Sequence, residues 1–264
     1  MQDYTLFLNY FNKPVDLLEK QLNSILGQTQ QPAYVIACFL GTPDGELLEY
    51  YKKFIVEHKL EKTWNWVDSS YDFKYIGRYQ LAINAPTDMV IVLDDDRLPL
   101  PRAFQNMVET AYLTNSIINQ YGWKLEHNKD GEWEDQVGDF LTINKLKDEE
   151  FKQRVINEKL LLHPVDYLCG GMVFNKKHLN VLFNESVPTI TTGEDIIFCL
   201  KARQAGVGVH MYMPGILDEY MQDAIEAKHG DVSSTLWGKN VDQIHKIRTL
   251  LIRQYKEFKN TITF

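Results

Sequence analysis

The run Met89-Val90-Ile91-Val92-Leu93-Asp94-Asp95-Asp96-Arg97-Leu98-Pro99 constrains this chain more than any other stretch. Five consecutive apolar residues, several of them β-branched, read as a buried strand. Three carboxylates follow at once, and the Leu-Pro-Leu-Pro segment behind them cannot continue a central strand. Such a strand places anionic oxygen at the carboxyl edge of a sheet, where open α/β sheets bind ligands. Like charges this close repel, and a hard divalent cation carrying phosphate oxygens on its far side is their natural partner. In an extended chain Asp94 and Asp96 point one way and Asp95 the other. A solvated acidic turn is the simpler alternative, and the preceding strand favours the functional one.

The stretch resembles the DxD motif of GT-A fold glycosyltransferases, as in the family 2 nucleotide-sugar enzymes. The resemblance implies that Asp94 and Asp95 face the nucleotide sugar, with Asp94 toward the ribose. It also implies that Asp96, with Asp94, holds a divalent metal, Mn²⁺ or Mg²⁺.

Composition limits the alternatives. Lys and Arg number 28 against 36 Asp and Glu, a formal charge of −8, which disfavours a nucleic-acid partner. With 264 residues, 44% hydrophobic and 24% charged, the chain suits one α/β domain with a substantial core. Cys38, Cys169 and Cys199 lie beside apolar residues without CxxC spacing and read as buried thiols in a reducing compartment. No secretory signal opens the sequence and no apolar run reaches membrane-spanning length. A cytoplasmic protein, or one peripheral to a membrane, is expected.

Residues 4–10 read as a first strand, and Asn12-Lys13-Pro14 as a helix start with Asn12 as cap. Val15, Leu18, Leu22 and Ile25 then follow at helical spacing. A strand at 33–40, a turn at 41–45, a helix at 46–58 and a strand at 63–67 continue the rhythm of a parallel sheet. Arg78 falls on a short helix at 78–84, and a longer helix is expected over 103–118. Residues 119–159 read as an insertion of strands and loops ending in a helix. Its Trp123 and Trp133 are expected to pack the insertion onto the core, or else to stack on a sugar.

This opening also resembles family 2. Asn23-Ser24-Ile25-Leu26-Gly27-Gln28-Thr29 is close to that family's "SILxQT" phrase. As residue chemistry, Ser24-Ile25-Leu26 needs nothing beyond helix packing. The resemblance places Asn9, Tyr10 and Arg78 near the nucleotide sugar, where Arg78 offsets the acidic cluster or touches a phosphate unless it only makes a surface ion pair. Asp68, at the polar end of the third strand, either accepts from a base or ribose or caps a turn. Where the family often ends its second strand in a base-reading aspartate, this chain has Phe39 and Leu40.

Two later segments carry chemistry. Residues 165–174 read as one strand interrupted by Gly170-Gly171, a bulge or a close approach to a ligand. In Thr191-Thr192-Gly193-Glu194-Asp195-Ile196, a threonine can cap a helix whose first turn holds two carboxylates, favourable electrostatics in itself. The phrase Glu194-Asp195-Ile196 resembles the family's "ED" segment. The resemblance implies Asp195 as catalytic base with Glu194 as its fallback, and an acceptor pocket beside Gly170 and Gly171. It further suggests a late histidine, His229, as a metal ligand, with Lys228 and Lys239 as phosphate contacts. His210 sits inside an apolar strand and reads as structural, and a final helix is expected over 241–259.

The resemblance implies an α/β fold: a single GT-A, Rossmann-like domain over 1–264 with a mostly parallel central sheet flanked by helices. Residues 1–100 would form the nucleotide-sugar half, 101–240 the acceptor and catalytic half, and 241–264 a C-terminal helix. The implied activity is metal-dependent, inverting sugar transfer from a nucleotide diphosphate sugar, UDP-sugar first, to a glycan or other hydroxyl acceptor. A nucleotidyltransferase is the alternative enzyme, although Asn9-Tyr10-Phe11-Asn12 lacks its Gly-rich loop. A non-catalytic sugar- or nucleotide-binding protein is the other alternative.

Overall fold

The computed structural model describes residues 1–11, 13–41, 45–127, 133–136, 162–187, 192–212, 225–227 and 251, with backbone alone at 124–127, 133–136 and 225–227. Strands β1 (Tyr4–Asn9), β2 (Tyr34–Leu40), β3 (Trp64–Ser69) and β4 (Met89–Asp94) alternate with helices α1 (Val15–Leu26), α2 (Glu46–Glu57) and α3 (Ile76–Ala82). Then come β5 (Arg97–Pro99), α4 (Ala103–Thr114), β6 (Ile117–Asn119), β7 (Gly122–His127) and β8 (Trp133–Gln136). After these follow β9 (Leu162–Pro164), β10 (Tyr167–Leu168), β11 (Gly171–Asn175), α5 (Leu179–Phe183), α6 (Glu194–Gln204), β12 (Val209–Tyr212) and β13 (Ile225–Ala227).

The main sheet runs β3-β2-β1-β4-β11-β6-β12-β9. Its first four strands are parallel, as the strand–helix alternation predicts. β11 enters antiparallel to β4 and β6, and β12 is parallel to β6. This is the mostly parallel, helix-flanked α/β architecture expected from the sequence.

The unbroken apolar run of β4 follows from cover on both faces. Met89, Ile91 and Leu93 join the core formed with α1, α2 and α4. Val90 and Val92 join the other core, with Ile76 and Tyr79 of α3 and Ile196 to Cys199 of α6. Side-chain parity therefore aims the next residue, Asp94, at the face covered by α3 and α6.

Several local expectations are revised. Pro14, not a residue ahead of it, occupies the N-cap of α1 in extended conformation, and its carbonyl accepts from the amides of Leu17 and Leu18. The helix expected through 118 stops at Thr114 because Asn115 adopts a left-handed conformation (φ 50°), freeing Ile117–Asn119 to join the main sheet. The single strand expected over 165–174 is two. β10 pairs with β7 in a small sheet, while β11 joins β4 in the large one. Gly170 (φ 79°) and Gly171 (φ 141°) make the step between them, and no L side chain adopts that pair of angles readily. Gly193, not a threonine, holds the N-cap of α6 at φ 84°, and Thr191 lies outside the described residues. Trp123 packs on the core, stacked on Tyr167 at 6.1 Å, and donates from Nε1 to Cys169 Sγ at 3.0 Å. Cys38 and Cys199 are buried as expected, whereas Cys169, beside the glycine step, is only half-buried. Among the described residues no helix is long and apolar enough to cross a membrane.

Candidate active site

β4 ends in the acidic turn, and each of its three carboxylates meets a different cation. Asp94 Oδ1 accepts from Arg78 Nη1. Asp95 Oδ1 lies 3.7 Å from Lys13 Nζ, and its Oδ2 accepts from the Phe11 amide at 3.4 Å. Asp96 Oδ1 lies 3.1 Å from Arg97 Nε. The extended geometry ends at Asp94, and Asp95 and Asp96 lie in the turn that follows. Burial pushes Asp94 upward, but Arg78 and Arg97 outweigh it and hold its carboxyl below the usual range. Asp95 goes the other way, pushed up to about 7 by burial and by repulsion from Asp96 and Asp94, against Lys13.

The turn is held in place by α1. Gln21, fully buried, donates from Nε2 to the carbonyls of Asp94 (2.7 Å) and Arg97 (2.8 Å), and Tyr10 donates to its Oε1 at 2.7 Å. One turn on, Ser24 Oγ donates to Pro99 O. Gln28 Nε2 donates to Pro99 O (3.0 Å) and Leu100 O (2.9 Å), while its Oε1 accepts from Phe104 N (3.2 Å). Thr29 N donates to Pro101 O at 2.7 Å. The Ser24–Thr29 phrase is therefore more than helix packing: it pins the exit of the acidic turn. This also turns Tyr10 into the core, as a support under the site.

α6 brings the second pair of carboxylates. Glu194 Oε1 lies 3.5 Å from Arg78 Nη2, so one guanidinium spans Asp94 and Glu194. Burial and repulsion from Asp195 push Glu194 up to about 7, against Arg78. Asp195 is 8% exposed, and its Oδ1 accepts from the Ile196 amide at 2.8 Å. Tyr75 lies close enough to Asp94, Glu194 and Asp95 that burial and these charges hold its phenol protonated.

The glycine step flanks the turn from the other side. The Arg97 guanidinium lies over the Tyr121 ring, 4.4 Å from its centroid. A Cβ on Gly170 would stand 2.5 Å from Arg97 Nη2, and one on Gly171 3.0 Å from Val92 O. Gly170 therefore lies against Arg97 at the acidic turn, and Gly171 against the end of β4.

The remaining expected residues are dispersed. Asn9 is half-buried and in register with Asp94 across β1 and β4. Asp68 is exposed near the end of β3. Arg78 is 3% exposed and engaged with carboxylates. His210 is half-buried in β12, as a structural histidine would be. His229, Lys228, Lys239 and the final helix lie outside the described residues, apart from Leu251, which packs on Gly193. β13 runs antiparallel to β5 with Ala227 in register with Arg97, so the chain passes the acidic turn two residues before His229.

The donors at the turn are all carboxylate oxygens, which suits Mn²⁺ or Mg²⁺. The side chains of Asp94, Asp95 and Asp96 retain 27%, 15% and 16% exposure beside their cations. Among the described residues no three or more His, Cys, Asp or Glu converge as a complete ligand set. Further ligands would have to come from elsewhere.

Sequence reasoning missed Gln21, Lys13, Arg97 and Tyr121. Only Arg97, adjacent to the acidic run, offered a local signal.

The same architecture occurs in solved structures of sugar-transfer enzymes. The crystal structure of GalNAc-T7 with UDP, GalNAc and Mn²⁺ superposes with a TM-score of 0.68 at 12% identity, covering 97% of this chain and 50% of that one. The mannosyltransferase PcManGT from Pyrobaculum calidifontis, in complex with GDP-Man and Mn²⁺, gives a TM-score of 0.56 at 17% identity, covering 81% and 55%. The chain thus spans about half the length of these structures. A comparison with curated protein sequences finds no match. The family described as "Glycosyltransferase like family 2" matches residues 71–235, more than half of the chain, including the acidic turn, the glycine step and the Glu194-Asp195 pair. The chain has the GT-A fold and belongs to the family 2 glycosyltransferase-like proteins.

Proposed function

We propose that this protein transfers a sugar from a nucleotide diphosphate sugar to an acceptor hydroxyl, with a divalent metal and inversion at the anomeric carbon. The observation that carries the reading is the meeting of two acidic pairs at one sheet edge: Asp94 and Glu194 share the Arg78 guanidinium although 100 residues separate them. Asp94 and Asp96 would hold the metal, with Asp94 also facing the ribose. His229 is the further ligand proposed, because Ala227 already stands beside Arg97. Mn²⁺ or Mg²⁺, when bound, would neutralise the diphosphate and stabilise it as a leaving group. UDP-sugar is the first donor to try, because the similar GalNAc-T7 structure holds UDP, and GDP-sugar is tested beside it because buried Phe39 and Leu40 stand where an acidic base reader would.

Asp195 is proposed as the base that takes the acceptor proton. Adjacent residues on a helix diverge by about 100°. With Glu194 turned to Arg78, Asp195 faces elsewhere, and the two carboxylates do not compete for one atom. Gly170 and Gly171 would let the acceptor approach the backbone closely.

Calorimetry tests this reading with UDP and GDP, in Mn²⁺ and in chelator. Binding should be far tighter with Mn²⁺, and Asp96→Ala should erase the difference while the protein stays folded. Equal affinity with and without metal would remove the metal from the reading.

A further inference from the structure

We propose that Arg78 is a positioning residue that couples the donor half of the site to the acceptor half. The inference rests on the transferase reading above. Arg78 lies on α3, is 3% exposed, and sits between elements that share no local sequence. Its Nη1 is bonded to Asp94 at the end of β4, and its Nη2 lies 3.5 Å from Glu194 at the start of α6. Tyr75 and Tyr79 flank the guanidinium, with ring centroids 5.7 and 5.5 Å from its central carbon. A planar fork held between two rings can serve two carboxylates at once, which the single charge of an ammonium cannot.

The coupling follows from sharing. While Glu194 draws on one arm, Asp94 feels only part of the arginine and keeps oxygen available to the ribose and metal. If Glu194 is neutralised, the whole guanidinium turns on Asp94 and competes with the donor. A change at the acceptor side is thus felt by the nucleotide through a residue that is 3% exposed and engaged with a carboxylate on each side. By reciprocity a bound nucleotide that occupies Asp94 releases Arg78 toward Glu194 and fixes the first turn of α6, where Asp195 resides.

The test measures Mn²⁺-dependent UDP and GDP affinity by calorimetry in wild type, Glu194→Gln, Arg78→Lys and the double variant. Circular dichroism confirms folding. Glu194→Gln should weaken nucleotide binding about five-fold or more in wild type and have no effect in the Arg78→Lys background. Equal effects in both backgrounds, or none in wild type, would overturn the coupling. Should Arg78→Lys fail to fold, a urea-unfolding cycle of Asp94→Asn and Glu194→Gln replaces it. Either single variant leaves Arg78 one carboxylate, whereas the double leaves a buried charge unpaired and should shift the midpoint by more than the sum of the two. Additive shifts would overturn the bridge. If wild type binds neither nucleotide with Mn²⁺, the transferase reading falls and takes this role with it. A non-additive cycle would then show the ion bridge surviving without that role.

Discussion

Gln21 donates one side-chain amide to the carbonyls of both Asp94 and Arg97, the two ends of the acidic turn. A buried amide with both acceptors satisfied fixes the turn's width and leaves the carboxylates to be placed by the backbone. Gln21→Leu keeps the volume and strands two carbonyls. Each buried unsatisfied group costs about 1–3 kcal/mol, so stability should fall by roughly that amount or more. Chemical denaturation reads the loss. The same substitution at exposed Lys20 should be nearly silent.

The two acidic sites separate by kinetics. General-base catalysis is typically worth about 10²–10⁴-fold, and loss of a base spares donor binding. Asp195→Asn should therefore abolish most transfer while leaving Mn²⁺-dependent UDP affinity nearly intact. Single-turnover transfer, paired with calorimetry, decides it. A dead Glu194→Gln beside an active Asp195→Asn would swap the roles, and two fully active variants would refute a base on α6.

Gly170 stands at φ 79° with Arg97 against its α-carbon. Gly170→Ala should cost about 1–2 kcal/mol for the left-handed backbone alone. The new methyl must also displace the flexible end of Arg97, loosening its contact with Asp96. Reduced stability in urea together with altered Mn²⁺–UDP affinity is expected. Unchanged affinity would uncouple the glycine step from the acidic turn.

His178 gives the fold a pH dependence away from the site. Burial and the neighbouring Lys177 push its imidazole down to about 4, from an ordinary value near 6.5. Its Nε2 meets Asn115 Oδ1 at 3.3 Å. The folded state binds the proton less readily than the unfolded chain. Stability is therefore fully present above pH 6.5 and is lost as pH falls toward 4, at roughly 1.4 kcal/mol per unit at most. Thermal melting at pH 7 and pH 5 should show the drop, and His178→Asn should flatten it. An equal drop in the variant would place the titration elsewhere.

Much of the fold was legible because its signals are local. The alternation of β1 to β4 with α1 to α3 follows from apolar runs, helical spacing and turn residues. The acidic run at the end of β4 marked the sheet edge. What was hidden depends on contacts distant in sequence. Nothing around Gln21, Ser24 or Gln28 announces that their side chains bind the backbone of residues 94–100, because a polar residue on a helix reads as solvent-facing. The repulsion within Asp94-Asp95-Asp96 was evident and Arg78 was a candidate to offset it, but the part of Lys13, in the loop ahead of α1, appears only in the folded chain. The break between β10 and β11 was foreshadowed by two glycines, yet the change of sheet appears only once β7 supplies a second partner.

The three cations around the acidic turn also bear on the life of the protein before it meets any ligand. A cluster of bare carboxylates would leave the nascent chain dependent on metal to close its sheet edge. Here a lysine and two arginines balance the three carboxylates from within, so closing the sheet edge does not call for a metal. Under the proposed function, metal would then govern activity and not folding, and purification through a strong chelator should return the protein folded.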